Sequence, residues 1–363
     1  MRILILANND VGLYKFRREL IEELVKTHEV YMCLPDGAFI SELVKIGAHF
    51  IPCTMLERHG MNPFKELKLI SFYHNILKRY KPNIVLTYTI KPNIYGGMMC
   101  TRMKIPYIVN VTGLGTAVEN KSVLQFATLR LYKMGIQGAQ KIFFQNEENK
   151  EFMEQHGIVK ENYEVIPGSG VNLERFPLLP YPDDEVIRFA FISRIMKEKG
   201  IDQYLEAAES IKAQYSNTEF HVCGFCEKEY EGKLSELNEN GTVIYHGMVN
   251  DISGFLKNIH CVIHPTYYPE GMSNVLLEAC ASGRPIITTD RAGCREVVDD
   301  GVNGYIVIPK NSLDLENKIR IFLELTYKEK EKLGNNGRNK VENEFDRRIV
   351  VRKYLQEVGK NDY

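Results

Sequence analysis

The sequence predicts an α/β fold made of two doubly wound parallel-sheet domains that face one cleft. Three observations carry this. Short apolar runs alternate with amphipathic stretches from end to end. The alternation breaks once, where Pro177, Pro180 and Pro182 lead into Asp183, Asp184 and Glu185, a composition that reads as a linker. The chain has 363 residues, 44% hydrophobic and 26% charged, enough for two separate cores.

The elements follow in order. Residues 3–7 read as the first strand, and Phe16, Leu20 and Leu24 recur at helical spacing behind it. A strand at 30–34 and a helix at 39–46 come next, then strands at 84–88, 107–111 and 141–145. After the linker a second series opens at 188–192, with a helix at 201–215 and strands at 220–223, 243–246, 261–264, 285–288 and 305–307. Residues 346–358 place Ile349, Val350, Tyr354 and Leu355 at helical spacing. The predicted organisation is a first domain over 1–170, a second over 171–345, and a closing helical segment over 346–363 that packs back on the first domain.

Bulk properties narrow the function. A net charge of −1 argues against an overall electrostatic grip on nucleic acid, and no nucleic-acid partner is expected. Eight scattered cysteines and an opening too short for a secretory signal fit reduced thiols in the cytoplasm. Cys223 and Cys226 have CxxC spacing, but without a second such pair they read as small thiols at a strand end. No apolar run is long enough to span a bilayer, so membrane contact would be peripheral.

The segment Glu270-Gly-Met-Ser-Asn-Val-Leu-Leu-Glu278 follows a predicted buried strand and two loop prolines, Pro265 and Pro269. Ser273 or Asn274 can cap the helix it starts. A helix start at the end of a parallel strand offers free N–H groups and a positive dipole end, which suits a phosphate. Gly271 lets a ligand approach the main chain. Glu278 shares a helix face with Asn274, at the distance of a ribose, while Glu270 faces whatever the diphosphate carries. Spacing alone suits two solvated glutamates equally well. The loop Ser193-Arg-Ile-Met-Lys-Glu-Lys-Gly200 shifts the balance, since Arg194 and Lys199 supply two cations for a leaving diphosphate.

With Gly301-Val-Asn-Gly304, these motifs resemble the retaining glycosyltransferases of family four, which have the GT-B fold of two Rossmann-like domains. The resemblance covers essentially the whole chain. Tyr88-Thr-Ile-Lys-Pro-Asn-Ile-Tyr-Gly96, Thr112-Gly-Leu-Gly115 and Phe143-Phe-Gln-Asn146 look like enzymes that extend undecaprenyl-diphosphate-linked sugars for capsule, O-antigen or protein glycans. The resemblance implies catalytic roles for Glu270, Arg194 and Lys199. It implies donor contacts from Gly12, Gly271, Met272, Ser273, Asn274 and Glu278, with Met248 and Val249 in the turn that holds the base. The donor would be a UDP-sugar. The chain has no D-x-D, the motif that commonly holds a metal on the diphosphate, so neither metal nor other cofactor is expected.

The acceptor, a lipid-linked glycan, is expected on the first domain. Arg17 and Lys91 are the candidate cations, and Thr112 and Glu119 the candidate polar groups; no histidine is assigned there. Basic and apolar residues mix over 58–70, and with Lys78, Arg79, Lys81, Arg102 and Lys104 they suit an anionic membrane surface. The expected location is the cytoplasm, at the inner face of the cell membrane where this patch engages. An amphipathic helix packed on the core fits the same residues. Other readings of the whole chain are a transferase with a small soluble acceptor, a UDP-N-acetylglucosamine 2-epimerase-like enzyme, and a nucleotide-sugar sensor.

Overall fold

The structure, a computed structural model, describes residues 1–56, 63–114 and 123–361. The chain divides into two compact units, Met1–Ser169 with Arg348–Tyr363, and Gly170–Arg347.

The first unit is built on seven strands: β1 (Arg2–Leu6), β2 (Glu29–Leu34), β3 (His49–Pro52), β4 (Ile84–Tyr88), β5 (Tyr107–Val111), β6 (Lys141–Phe144) and β7 (Tyr163–Val165). They pair in parallel in the order β3-β2-β1-β4-β5-β6-β7. Strands β4 and β5 are buried along their whole length, so they read as near-continuous apolar runs. Leu4 and Leu6 face one layer of helices, Pro63–Tyr80, Gly97–Met103 and Val123–Ile136. Ile3 and Ile5 face the other layer, formed by Asp10–Val25, Ile40–Lys45 and Arg347–Gly359. The last of these buries Val350, Val351, Tyr354 and Val358 in that core.

The second unit has six strands: β8 (Ile187–Ile192), β9 (Thr218–Cys223), β10 (Ile244–Tyr245), β11 (Cys261–His264), β12 (Ile286–Thr289) and β13 (Gly304–Val307). They too pair in parallel, in the order β10-β9-β8-β11-β12-β13. Each sheet therefore reverses its direction of growth once, between β1 and β4 and between β8 and β11. Ligands of open α/β sheets sit outside the strand ends at such a point.

Two strands, β3 and β7, escape the sequence reading. Both are short edge strands that contain polar residues or proline, such as His49, Pro52 and Glu164. An edge strand covered on one side does not need an unbroken apolar run. Strand β10 keeps only two of its four expected residues, and the helix expected over 201–215 ends at Lys212. All eight cysteines are free thiols, with Cys223 buried and Cys226 half-buried. Among the described residues no helix is long and apolar enough to cross a membrane.

Candidate active site

At the switch point of the second unit, the loop after β8 meets the loop after β11. Main-chain geometry locks them together. Gly200 has φ of +79°, and a side chain there would place its Cβ 2.1 Å from the Pro265 carbonyl oxygen. The Tyr267 N–H donates to the Glu198 carbonyl at 2.9 Å, and the Thr266 hydroxyl donates to the same oxygen at 3.2 Å. This lock brings Lys199 onto Glu270 as an ion pair, with both side chains 16% exposed. The Lys199 ammonium also lies 4.8 Å from the centre of the Tyr268 ring.

Burial alone would push the Glu270 carboxyl up. The adjacent Lys199 charge and the His264 ring together outweigh it and hold the pKa at about 2. Glu270 is thus ionised throughout the physiological range. His264, the last residue of β11, is 2% exposed with its Nε2 3.8 Å from Glu270 Oε1. Burial lowers its pKa, so the ring is neutral.

Gly293 supports the same loop from the far side. Its φ is +84°, and a Cβ would stand 2.8 Å from the Gly271 carbonyl oxygen and 2.9 Å from Glu270 Cβ. Its own carbonyl accepts from the Ser273 N–H at 2.7 Å. The helix Asn274–Ala281 begins there. Ser273 stands at the N-cap, but its side chain makes no capping hydrogen bond, which corrects the expected cap. The main-chain bond to Gly293 holds the helix start instead. It leaves Ser273 Oγ and Asn274 Oδ1 buried without a partner. Met272 is buried and Glu278 half-buried one turn along the helix. Gly271 is buried in the loop. The arrangement offers an ionised carboxylate, an ammonium and two open oxygen atoms around a helix start, groups that can recognise hydroxyls and an anion.

The other predicted donor residues of this unit lie on neighbouring loops. Arg194 is partly exposed, with Nη1 3.8 Å from Glu227 Oε1. The turn carrying Met248 and Val249 is held by the Gly224 N–H donating to the Gly247 carbonyl at 2.8 Å, and Met248 is 66% exposed. Next to it, His221 and His246 stack, with His221 Nδ1 2.9 Å from His246 Nε2.

In the first unit, Gly12 donates its N–H to the Asn9 side chain at 2.6 Å, the cap of the helix Asp10–Val25. Arg17 on that helix is not solvated. It is 4% exposed, with its guanidinium 5.0 Å from the centre of the Tyr88 ring and 5.9 Å from that of Tyr354. Lys91 is paired with Glu66 at 2.8 Å. Thr112 follows β5 and is half-buried, whereas Glu119 lies outside the described residues. Sequence reasoning missed His264 and Gly293. His264 closes an apolar run and so reads as strand; only a histidine at a strand's C-terminal end, just before the Pro265 loop, could have flagged it.

Comparison with known proteins accounts for both units. The family described as Glycosyl transferases group 1 matches residues 174–340, and the family described as Glycosyl transferase 4-like matches residues 2–146. The N,N'-diacetylbacillosaminyl-diphospho-undecaprenol alpha-1,3-N-acetylgalactosaminyltransferase of Campylobacter jejuni is 28% identical, over 98% of this chain and 98% of its own. The capsular polysaccharide biosynthesis glycosyltransferase CapM of Staphylococcus aureus is 26% identical, over 96% of this chain and 93% of its own. The structure of Anabaena HepE in complex with UDP and glucose superimposes with a TM-score of 0.80, covering 99% of each chain at 17% identity, a likeness of fold. The second unit thus matches a glycosyl transferase group 1 domain and the first a glycosyl transferase 4-like domain, and the chain is a glycosyltransferase with a GT-B-like fold.

Proposed function

We propose that the protein moves a sugar from a UDP-sugar to a lipid-linked glycan carried on undecaprenyl diphosphate, with retention and without metal. The observation that carries this reading is the Lys199–Glu270 pair beside the open Ser273 and Asn274 oxygens at the switch point of the second unit. A donor diphosphate entering here meets Lys199 and the start of the helix Asn274–Ala281, and its sugar meets Glu270. UDP is favoured by the Anabaena relative's bound nucleotide, and the lipid acceptor by the name of the Campylobacter relative.

In the proposed reaction an acceptor hydroxyl attacks the anomeric carbon on the face the diphosphate leaves. The carbon–oxygen bond to the diphosphate breaks as the new one forms, and a phosphate oxygen takes the hydroxyl proton. Lys199 and Arg194 offset the charge that develops on the diphosphate, which assigns them the work a metal does elsewhere. Product NMR tests the stereochemistry: an α-linked donor should give an α linkage, and a β linkage would sink the retaining mechanism. A panel of UDP- and GDP-sugars in EDTA identifies the donor. Release from a UDP-sugar supports the reading; turnover that needs an added divalent cation contradicts its metal-free part.

An acceptor held in a bilayer calls for membrane contact, and one face of the first unit suits it. The helices Pro63–Tyr80, Gly97–Met103 and Val123–Ile136 carry Lys65, Lys68, Lys78, Arg79, Arg102, Arg130 and Lys133 against a single acid, Glu66. That acid is buried and paired with Lys91. Phe64, Leu67 and Phe126 stand 78%, 63% and 62% exposed on the same helices. Residues 57–62, where the patch expected from the sequence begins, lie outside the described residues. Co-sedimentation with anionic vesicles at low salt should be strong, and weaker for Lys65→Glu/Lys68→Glu. Equal binding of neutral and anionic vesicles, or none, would contradict the proposal.

A further inference from the structure

We propose that His264 is a positioning residue, which takes hold of the Glu270 carboxylate when a bound diphosphate draws Lys199 away. The inference rests on the donor-site reading above and adds to it the group that keeps Glu270 aimed at the sugar.

The ring of His264 is an anomaly where it stands. It is buried at the end of β11, and neither Nδ1 nor Nε2 has a hydrogen-bond partner. Buried polar groups are nearly always paired, and each exception calls for an explanation. Its main chain is well held, the Thr288 hydroxyl donating to the His264 carbonyl at 2.8 Å. Only the imidazole is left open, and Nε2 lies 3.8 Å from Glu270 Oε1, just outside hydrogen-bond reach.

The same Glu270 oxygen, Oε1, is the one that Lys199 pairs with. The Lys199 ammonium is also the cation that the donor-site reading sets against the diphosphate at the helix start. A diphosphate there competes for that charge and, being an anion, repels the carboxylate at the same time. A neutral N–H donor can then take over the oxygen that Lys199 gives up. His264 supplies one: its ring is uncharged, because burial and the Lys199 charge together outweigh the opposing pull of Glu270. A shift of about 1 Å closes the gap to an ordinary N–H···O distance.

Two variants separate positioning from packing. His264→Leu keeps the apolar volume without the donor, and His264→Gln restores an N–H at similar reach. Melting temperature and UDP affinity should match the wild type in both. The Leu variant should lose roughly 10²-fold in kcat, together with any preference for intact UDP-sugar over UDP. The Gln variant should recover most of both. Unchanged turnover in the Leu variant, or a Gln variant no better than it, would overturn the proposal. The wild-type protein gives an independent readout: in ¹⁵N-histidine spectra the His264 Nε2–H should move to a hydrogen-bonded shift on adding UDP, and a static signal would overturn the proposal whatever the variants do. A wild type that binds UDP but transfers no sugar would count against the transferase reading, leaving the spectral test of His264 intact.

Discussion

Lys199 and Glu270 sit 71 positions apart in the chain and share one ion pair. Removing Lys199 should cost about 10- to 150-fold in kcat/KM, the equivalent of about 1.5–3 kcal/mol for a charge-assisted contact. Steady-state kinetics of Lys199→Met checks this, and a loss below threefold would exclude a role on the diphosphate. The pH profile carries a second signature. The Glu270 carboxyl is held near 2, below its ordinary 4.5, so it stays charged and the stability it contributes is lost only as pH falls from about 4.5 toward 2. No acid limb from Glu270 should therefore appear in kcat/KM above pH 4.5. In Lys199→Met burial is unopposed by that charge, and the acid limb should move up. Both residues were legible in the sequence as donor-site candidates, each from its own motif. Their direct pairing was not, because it depends on Gly200 fitting under Pro265 and Gly293 under Gly271, contacts between loops that no local pattern encodes. His264 was hidden for the same reason: an apolar run reads as strand whether or not its last side chain turns to a carboxylate.

The proline-rich stretch between the two strand series is a strap at the scale of elements, rather than a bare linker. Arg284, fully buried, donates to the carbonyls of Pro180 and Leu256 at 2.8 Å each, with its guanidinium 5.7 Å from the centre of the Tyr181 ring. Burial lowers its pKa to about 10, and it remains a cation at neutral pH. Arg284→Met orphans these carbonyls and should lower stability by roughly 3 kcal/mol, measured by urea unfolding. His260 ties the next residues down. Its Nδ1 accepts from the Arg188 N–H at 3.0 Å and its Nε2 donates to the Asp183 carbonyl at 2.6 Å. The bond from Arg188 needs the neutral ring, and burial brings its pKa down to about 4 from an ordinary 6.5. The unfolded chain therefore binds the extra proton first, and stability should fall as pH drops from about 6.5 toward 4. Between pH 7 and 5 the single ring accounts for about 2 kcal/mol. His260→Gln, which cannot titrate, should show a correspondingly flatter dependence; an identical slope would contradict this. Residues such as Pro177 and Pro182 do signal a break in the pattern, but the carbonyls that receive Arg284 carry no sequence signature.

For the whole molecule, two parallel sheets with the same pattern of growth put the ends of β1 and β4, and of β8 and β11, at their switch points. That much follows from the alternation of apolar and amphipathic runs, because a strand buried on both faces has little choice of composition. The edge strands β3 and β7 were illegible, since one covered side relaxes that demand. The central claim is that the switch point of the second unit holds the donor of a sugar transfer to a lipid-linked acceptor. The measurement that tests it most directly is UDP release from a UDP-sugar in EDTA, with and without an undecaprenyl-diphosphate-linked sugar, for wild type and Glu270→Ala. The account predicts release that the lipid-linked acceptor stimulates in the wild type and that Glu270→Ala abolishes. Release that ignores the acceptor, or that survives in Glu270→Ala, would contradict it.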